Sequence, residues 1–308
     1  MHALPVLVLL ALQAPAPVPE AVALKKSCDA KVGADCYKLA GLHKRGEGIA
    51  RDVEKAADLL KKACELNVAP ACLDYAAAWR AGEGVKRDPL KAVPLYQKAC
   101  DGGVAEACAQ LAGMLASGRE IEMHLGRATE LHGRACDGGI AASCGLLAAM
   151  YAEGSPMPKD EAKAAALYDK GCTGGDATSC GRLAGMLRDG RGVPRDMARA
   201  ATLARKSCDA GASAACIALA LALQHGEGLA ADPKQALELF TKACEGGEPR
   251  GCLGQGERVR DGAGVARDLP RALELFRKAC DGKVGAGCYE RAPAAARGQG
   301  APADLAQA

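Results

Sequence analysis

Aromatic side chains are nearly missing from this chain, which has one Trp, two Phe and six Tyr among 308 residues. A core built on stacked rings is therefore excluded, and the plentiful Ala, Leu and Cys must fill the interior. Small side chains let helices approach closely, so the composition points to an Ala-packed helical stack. Charge of one sign is also lacking. The net charge is only +3, which gives no indication of a nucleic-acid partner. No apolar run is long enough to span a bilayer. The short run Leu4–Leu12 falls well below the roughly 20 residues such a helix needs.

Cysteine is what the chain has in quantity, and its placement is strictly periodic. Cys28, Cys64, Cys100, Cys136, Cys172, Cys208, Cys244 and Cys280 follow one another at intervals of 36 residues. Each is followed eight positions later by a second, at Cys36, Cys72, Cys108, Cys144, Cys180, Cys216, Cys252 and Cys288, and this accounts for all 16. A fixed period of this length marks a repeat array in which each unit buries its apolar face on its neighbours.

Each unit reads as two helices. One, called B here, opens at Asp52, Asp88, Asp160, Asp196, Asp232 or Asp268. A short carboxylate at that position accepts from the free N–H groups of the first turn. Its apolar stripe (Ala56, Leu59, Leu60, Ala63) recurs as Ala92, Leu95, Tyr96, Ala99 and ends near the first cysteine. Asn67, Gly103, Gly139, Gly175, Gly211 and Gly247 then suit a left-handed turn. The other helix, A, begins at about the second cysteine, buries a stripe such as Cys180, Leu183, Ala184, Leu187, and ends at a glycine row that includes Gly82 and Gly190. Seven complete A–B pairs are expected from about Ala34 to Asp281. Glu120 and His124 break the third unit, where a second glycine and the capping Asp belong. Pro156 and Pro158 fall in the fourth loop, and Pro94 should bend its helix.

The stretch Gly82-Glu83-Gly84-Val85-Lys86-Arg87-Asp88, followed by Lys91-Ala92, Leu95-Tyr96, Lys98-Ala99 and Gly103, resembles the Sel1-like repeat. With C-x7-C in a 36-residue unit, the chain resembles the secreted, cysteine-rich branch of that family, the Helicobacter cysteine-rich proteins. The likeness covers about residues 24 to 290. It implies an all-α fold, an αα-hairpin solenoid wound as a right-handed superhelix of the TPR/Sel1 type, with one disulfide per repeat and a role in protein interaction. Some members of that branch carry a β-lactamase or penicillin-binding label.

Counting cannot decide how 16 cysteines pair. A tight turn would bring the two cysteines of a C-x7-C unit to bonding distance, and closing so short a ring stabilises by roughly 2–3 kcal/mol. Pairing across a hairpin, as in Cys36 with Cys64, closes a longer loop and stays open. Zinc sites want tighter spacings, usually with histidine, so no metal and no cofactor is expected. A penicillin-recognising enzyme needs Ser-x-x-Lys with Ser-Asp-Asn and Lys-Thr-Gly elements, and the chain has none of them, nor a Gly-x-Ser-x-Gly elbow. Ser27, Ser143, Ser179 and Ser207 sit beside cysteines as small turn residues. His43 takes the apolar position filled elsewhere by Trp79, Tyr151 and Leu187, while His124 and His132 make only a weak metal pattern. Two cationic rows remain. Lys62, Lys98, Arg134, Lys170, Lys206, Lys242 and Lys278 complement the C-terminal dipole of helix B. Lys55, Lys91, Arg127, Lys163, Arg199 and Arg271 stand in its first turn, either pairing with the Asp row or meeting an anionic surface.

Residues 1–23 read as a secretory signal with a small-x-small site at Ala21-Val22-Ala23, residues 24–291 as the solenoid, and residues 292–308 as a disordered tail. Paired cysteines require an oxidising compartment, so a secreted or periplasmic address follows. The expected function is that of a monomeric, non-enzymatic scaffold that holds a protein or peptide partner in its concave groove, with no nucleic acid and no membrane span. A β-lactam or peptidoglycan-precursor hydrolase is the alternative. The groove should be lined by helix A positions two, five and nine residues after the second cysteine. The candidates are Lys38, Arg45, Asp74, Gln110, Leu146, Glu153, Arg182, Asp189, Leu221, His225, Glu257 and Asp261. The middle position is small in five of seven units, as at Gly41, Gly113 and Gly185, which leaves room for a ligand backbone.

Overall fold

The computed structural model describes residues 18–296. Among these residues all regular structure is helical, in 16 helices divided between two compact units that meet in sequence at Gly139 and Ile140. The first unit contains α1 (Pro19–Asp29), α2 (Gly33–Arg45), α3 (Val53–Glu65), α4 (Ala69–Ala81), α5 (Pro89–Asp101), α6 (Ala105–Ser117) and α7 (Leu125–Asp137). The second contains α8 (Ala141–Glu153), α9 (Glu161–Thr173), α10 (Ala177–Asp189), α11 (Met197–Asp209), α12 (Ser213–His225), α13 (Pro233–Glu245), α14 (Pro249–Asp261), α15 (Leu269–Asp281) and α16 (Gly285–Ala296). Even-numbered helices are the A helices and odd-numbered ones the B helices. From α2 to α15 every helix has 13 residues, and seven-residue loops alternate with three-residue turns, which accounts for the period.

The B helices begin as the sequence predicts. The carboxylates of Asp52, Asp160, Asp196 and Asp232 each accept from the backbone N–H three residues on, at 2.9 Å. Such a cap is worth about 1 kcal/mol. At the irregular third unit the cap survives with a different acceptor, because His124 Nδ1 takes the Arg127 N–H at 3.2 Å. Helix α5 runs unbroken through Pro94. Both Pro94 and Leu90 are exposed, so the carbonyl that the proline leaves unpaired faces water.

The three-residue turns join B to A by a left-handed residue whose N–H reaches the first cysteine. Asn67 (φ 61°) donates to the Cys64 carbonyl at 3.0 Å, and Val68 N–H to Ala63 O at 3.0 Å. These bonds satisfy the last carbonyls of helix B. Helix A starts about a turn earlier than the sequence indicates, so that its cysteine lies back against helix B. Cα–Cα distances in the near-neighbour disulfides run from 4.5 Å at Cys244–Cys252 to 4.8 Å at Cys100–Cys108. Cys28–Cys36, Cys64–Cys72, Cys172–Cys180, Cys208–Cys216 and Cys280–Cys288 lie at 4.6 Å, and no described cysteine is free. Pairing is therefore within the C-x7-C unit and not across a hairpin.

Two devices tie successive repeats together inside each unit. The first is the second glycine of the loop. Gly192 (φ +69°) lies so close to the preceding B helix that a Cβ would stand 2.3 Å from the Glu161 backbone, and at Gly84 it would stand 2.0 Å from Val53 O. The second is the cation before the first cysteine. Lys98 Nζ donates to Cys64 O at 2.8 Å, Arg134 to Cys100 O at 2.9 Å, Lys206 to Cys172 O at 2.8 Å and Lys242 to Cys208 O at 3.0 Å. This row serves the end of the neighbouring helix, where the sequence reading assigned it to the dipole of its own. Alanines such as Ala92, Ala99, Ala107 and Ala128, all fully buried, keep the helix axes close.

Residues 1–17 and 297–308, which hold most of the expected leader and tail, lie outside the described residues. Val18 to Ala23, at the end of that leader, are described. Ala21 is buried, and Val18 N–H donates to Gly48 O at 3.0 Å, so cleavage after Ala23 would remove the first turn of α1. At the other end α16 continues to Ala296, past the limit of the expected solenoid, so residues 292–296 are helical where disorder is expected.

Two substitutions separate the devices. Gly211→Ala, at φ +95° in open space, should cost about 1 kcal/mol, whereas Gly192→Ala adds a backbone clash and should cost about 3 kcal/mol, read as urea midpoints. Lys206→Met should lower stability by about 1 kcal/mol, and Lys206→Arg should restore most of it, because Arg134 makes the same bond.

Candidate functional site

Helix A is divided by its own periodicity. In α10 Cys180, Leu183, Ala184 and Leu187 are all buried, which turns positions two, five and nine after the cysteine outward. Lys38, Arg45, Glu153, Arg182, Asp189, His225 and Asp261 are exposed, as are Leu146 (51 %) and Leu221 (41 %). Asp74, Gln110 and Glu257 are partly buried. Gly113 and Gly185 have nothing within 4 Å of a would-be Cβ. Gly254, two residues after Cys252 in α14, is the exception among the outward rows. It is buried, with Phe240 2.4 Å from its would-be Cβ, so the row is closed there.

Many of these side chains are already engaged. Tyr37 Oη donates to Asp74 at 2.8 Å, and burial together with that carboxylate pushes the phenol up to about 12. Arg80 donates to Gln110 at 2.9 Å and to Glu120 at 2.7 Å, and Glu120 also accepts from Arg87 at 2.8 Å. Arg45 pairs with Glu47, Asp189 with Arg188 and Asp261 with Arg260, each at 2.8 Å. Hydrogen bonds from those arginines hold the Asp189 and Asp261 carboxyls below the usual range, while burial raises Glu257. What stays uncommitted is concentrated in the second unit. Leu146 and Leu221 are exposed, and the side chains of Glu153, Arg182 and His225 have no hydrogen-bond or ion-pair partner among the described residues.

The structure brings the candidates together in three places. Lys38, Arg45 and Asp74 border a cavity of about 370 Å³ beside Tyr37. Gln110 borders one of about 420 Å³ with Arg80 and Glu120. Leu221 and His225 border one of about 250 Å³ floored by Ala184, Gly185 and Ala218. Arg80 and Arg188 were not singled out from sequence, and Glu120 was noted only as an irregularity of the third unit. A usable signal existed, since partners in neighbouring repeats recur 30 residues apart, as in Arg80–Gln110, Arg260–Glu290 and Asp169–Arg199.

Other expectations resolve into structure. In the first-turn cation row, Lys91 stands 4.3 Å from the centroid of Trp79, Lys163 stands 4.2 Å from that of Tyr151, and Arg199 pairs with Asp169 at 2.7 Å. Such contacts are worth about 0.5–1 kcal/mol each at exposed sites and leave less of the row free for an anionic surface. Ser143, Ser179 and Ser207 are buried. Ser179 donates to Asp176, the cap of α10, and Ser207 to Ala177 O at 2.7 Å, so neither hydroxyl is placed as a nucleophile. His132 is buried, and its burial lowers its pKa, while His124 caps a helix. Among the described residues no three His, Cys, Asp or Glu side chains gather as a metal set, and no helix is long and apolar enough to cross a membrane.

A family model described as Sel1 repeat matches residues 34–68, 69–104, 141–176, 177–211, 213–248 and 253–284, more than half of the chain. It omits the repeat that carries Glu120 and His124. Among solved structures the chain is similar to a protective antigen of uropathogenic Escherichia coli with an SLR fold (26% identity, TM-score 0.83). That match covers 93% of this chain, which spans 62% of the other protein's length. A Sel1 repeat protein from Oxalobacter formigenes shares the fold at 23% identity and TM-score 0.71, covering 93% of this chain and 83% of that one. Cysteine rich protein B of Helicobacter pylori matches at 28% identity over 43% of this chain and 95% of its own, with TM-score 0.35. No curated protein sequence matches the chain.

The charge arrangement fixes a pH dependence. Because Asp189 and Asp261 titrate below their ordinary range when folded, their contribution is intact above that range and is lost as pH falls through the depressed values. The double variant Asp189→Asn, Asp261→Asn should be less stable than the parent at neutral pH. The gap should narrow as pH falls below the ordinary carboxylate range, as followed by urea midpoints.

Proposed function

Because the chain belongs to the Sel1 repeat family, we propose that it is a non-enzymatic scaffold that holds an extended peptide segment of a protein partner against the A-helix face of its second unit, taken as the concave side. One observation carries this reading. Leu146, Leu221, Arg182, Glu153 and His225 are exposed and unpaired, while the rows around them are spent on contacts between repeats. Exposed leucines supply apolar anchors, the unpaired charges supply direction, and the bare backbone at Gly185 leaves room for a main chain. Affinity would come from a few such anchors and not from the whole face.

The disulfides suit a working environment outside the reducing cytoplasm. A secretory leader at residues 1–23 fits that address. The similar uropathogenic E. coli protein is described as a protective antigen, a description in keeping with exposure beyond the cytoplasm. The hydrolase alternative receives no support, because the serines beside the cysteines hold turns together.

Panning a displayed peptide library on the oxidised protein supplies the ligand for the test. Arg182→Ala with Leu221→Ala should weaken the selected peptides about tenfold, near 1.4 kcal/mol, with helicity unchanged. Lys55→Ala with Lys163→Ala, on the B helices, should leave binding as it was. If only the B-helix pair weakens binding, the interaction face is the opposite one.

A further inference from the structure

A cavity of about 550 Å³ opens between α1, α2 and α3, on the side away from the A-helix face. Its walls include Leu39, Ile49 and Leu59, and its rim carries Lys25, Lys55 and His43; all six lie after Ala23, so cleavage there would remove only Ala21 and Val22 from the lining. The register of the repeat explains why it is there. The residues 36 positions after Leu39 and His43 are Tyr75 and Trp79, whose rings meet edge to face at 6.0 Å and fill the corresponding space in the next repeat. Above Trp79 lies Lys91, the counterpart of Lys55. The first repeat keeps the cation and omits the ring beneath it.

The polar groups of this cavity are unbalanced. Asp29 is drawn to Lys62 at 3.4 Å, and Asp52 caps α3, so both acidic groups of the lining are engaged. The ammonium groups of Lys25 and Lys55 have no ion-pair partner among the described residues. His43 Nδ1 is buried without a hydrogen-bond partner. Burial first, then the charge of Lys55, lowers the His43 pKa, against the raising effects of the Ala50 backbone and Asp52. An apolar chamber of this volume with a few convergent polar groups is the usual form of a small-molecule site.

We propose that this cavity binds a small aromatic anion, whose ring takes the place that Trp79 fills in the next repeat and whose negative charge meets Lys25 and Lys55. Cation and ring would then stack as Lys91 and Trp79 do, and the anion would neutralise the two lysines. The site lies apart from the peptide face and does not depend on it.

Indole-3-acetate is the probe, because it joins the missing indole to a carboxylate. Titrated into the full oxidised chain by calorimetry, it should bind saturably at one site with a Kd below about 1 mM, and both indole and acetate should bind at least tenfold more weakly. Lys25→Met with Lys55→Met should weaken indole-3-acetate at least tenfold, and His43→Trp, which fills the chamber, should abolish binding. If His43→Trp does not fold, the lysine variant, altered only at the rim, decides alone. Absence of saturable binding to the full chain, or binding unchanged by the lysine variant, overturns the proposal.

Discussion

Everything in this protein is spaced from the carbonyl of the first cysteine in each C-x7-C pair. In the interior repeats it accepts the N–H of the left-handed turn residue and, 34 residues on, the cation of the next repeat. The disulfide beside it holds the following A helix at a Cα separation near 4.6 Å. A helix end that would otherwise leave carbonyls unpaired in a crowded interior becomes the place where one repeat is joined to the next. Local closure and long-range order are thus achieved by the same atoms. This is the physical basis of nearest-neighbour stability in repeat arrays.

That economy shapes what is left for recognition. A side chain engaged between repeats cannot also meet a partner, and most charges on both helix faces are engaged. The uncommitted groups are found in two settings. On the A-helix face of the second unit, Leu146, Leu221 and Arg182 stand free because no loop or neighbouring helix covers them. Beside α1 the chamber exists because smaller residues stand where the next repeat has two rings. The third repeat shows how far the pattern bends. Glu120, in place of a glycine, is held by two arginines, and His124 caps a helix with nitrogen where its counterparts use oxygen. The period survives because the helix lengths do not change, even where the family model no longer recognises the sequence.

The two-helix repeat, the capping aspartates, the left-handed turns and the buried A-helix stripe could be read from sequence, because each depends on contacts within a few residues or one turn of helix. The period itself reveals what repeats. It cannot reveal which atom a repeated side chain reaches. Lys98 looked like a partner for its own helix end and serves that of Cys64 instead. Gly254 looked open by position and lies under Phe240. Asp74 and Gln110 belong to the outward rows but are held by Tyr37 and Arg80, partners that only the folded unit supplies.

The sequence by itself determined that the chain is a helical array, where the B helices begin, and which stripe is buried, because helix caps and a 3.6-residue periodicity are short-range properties. The tertiary structure decided which cysteines join, which cations are spent between repeats, and which face and chamber remain available. Those outcomes depend on offsets, 8 residues for the disulfides and 34 for the cations, that become distances only when neighbouring helices are packed against one another.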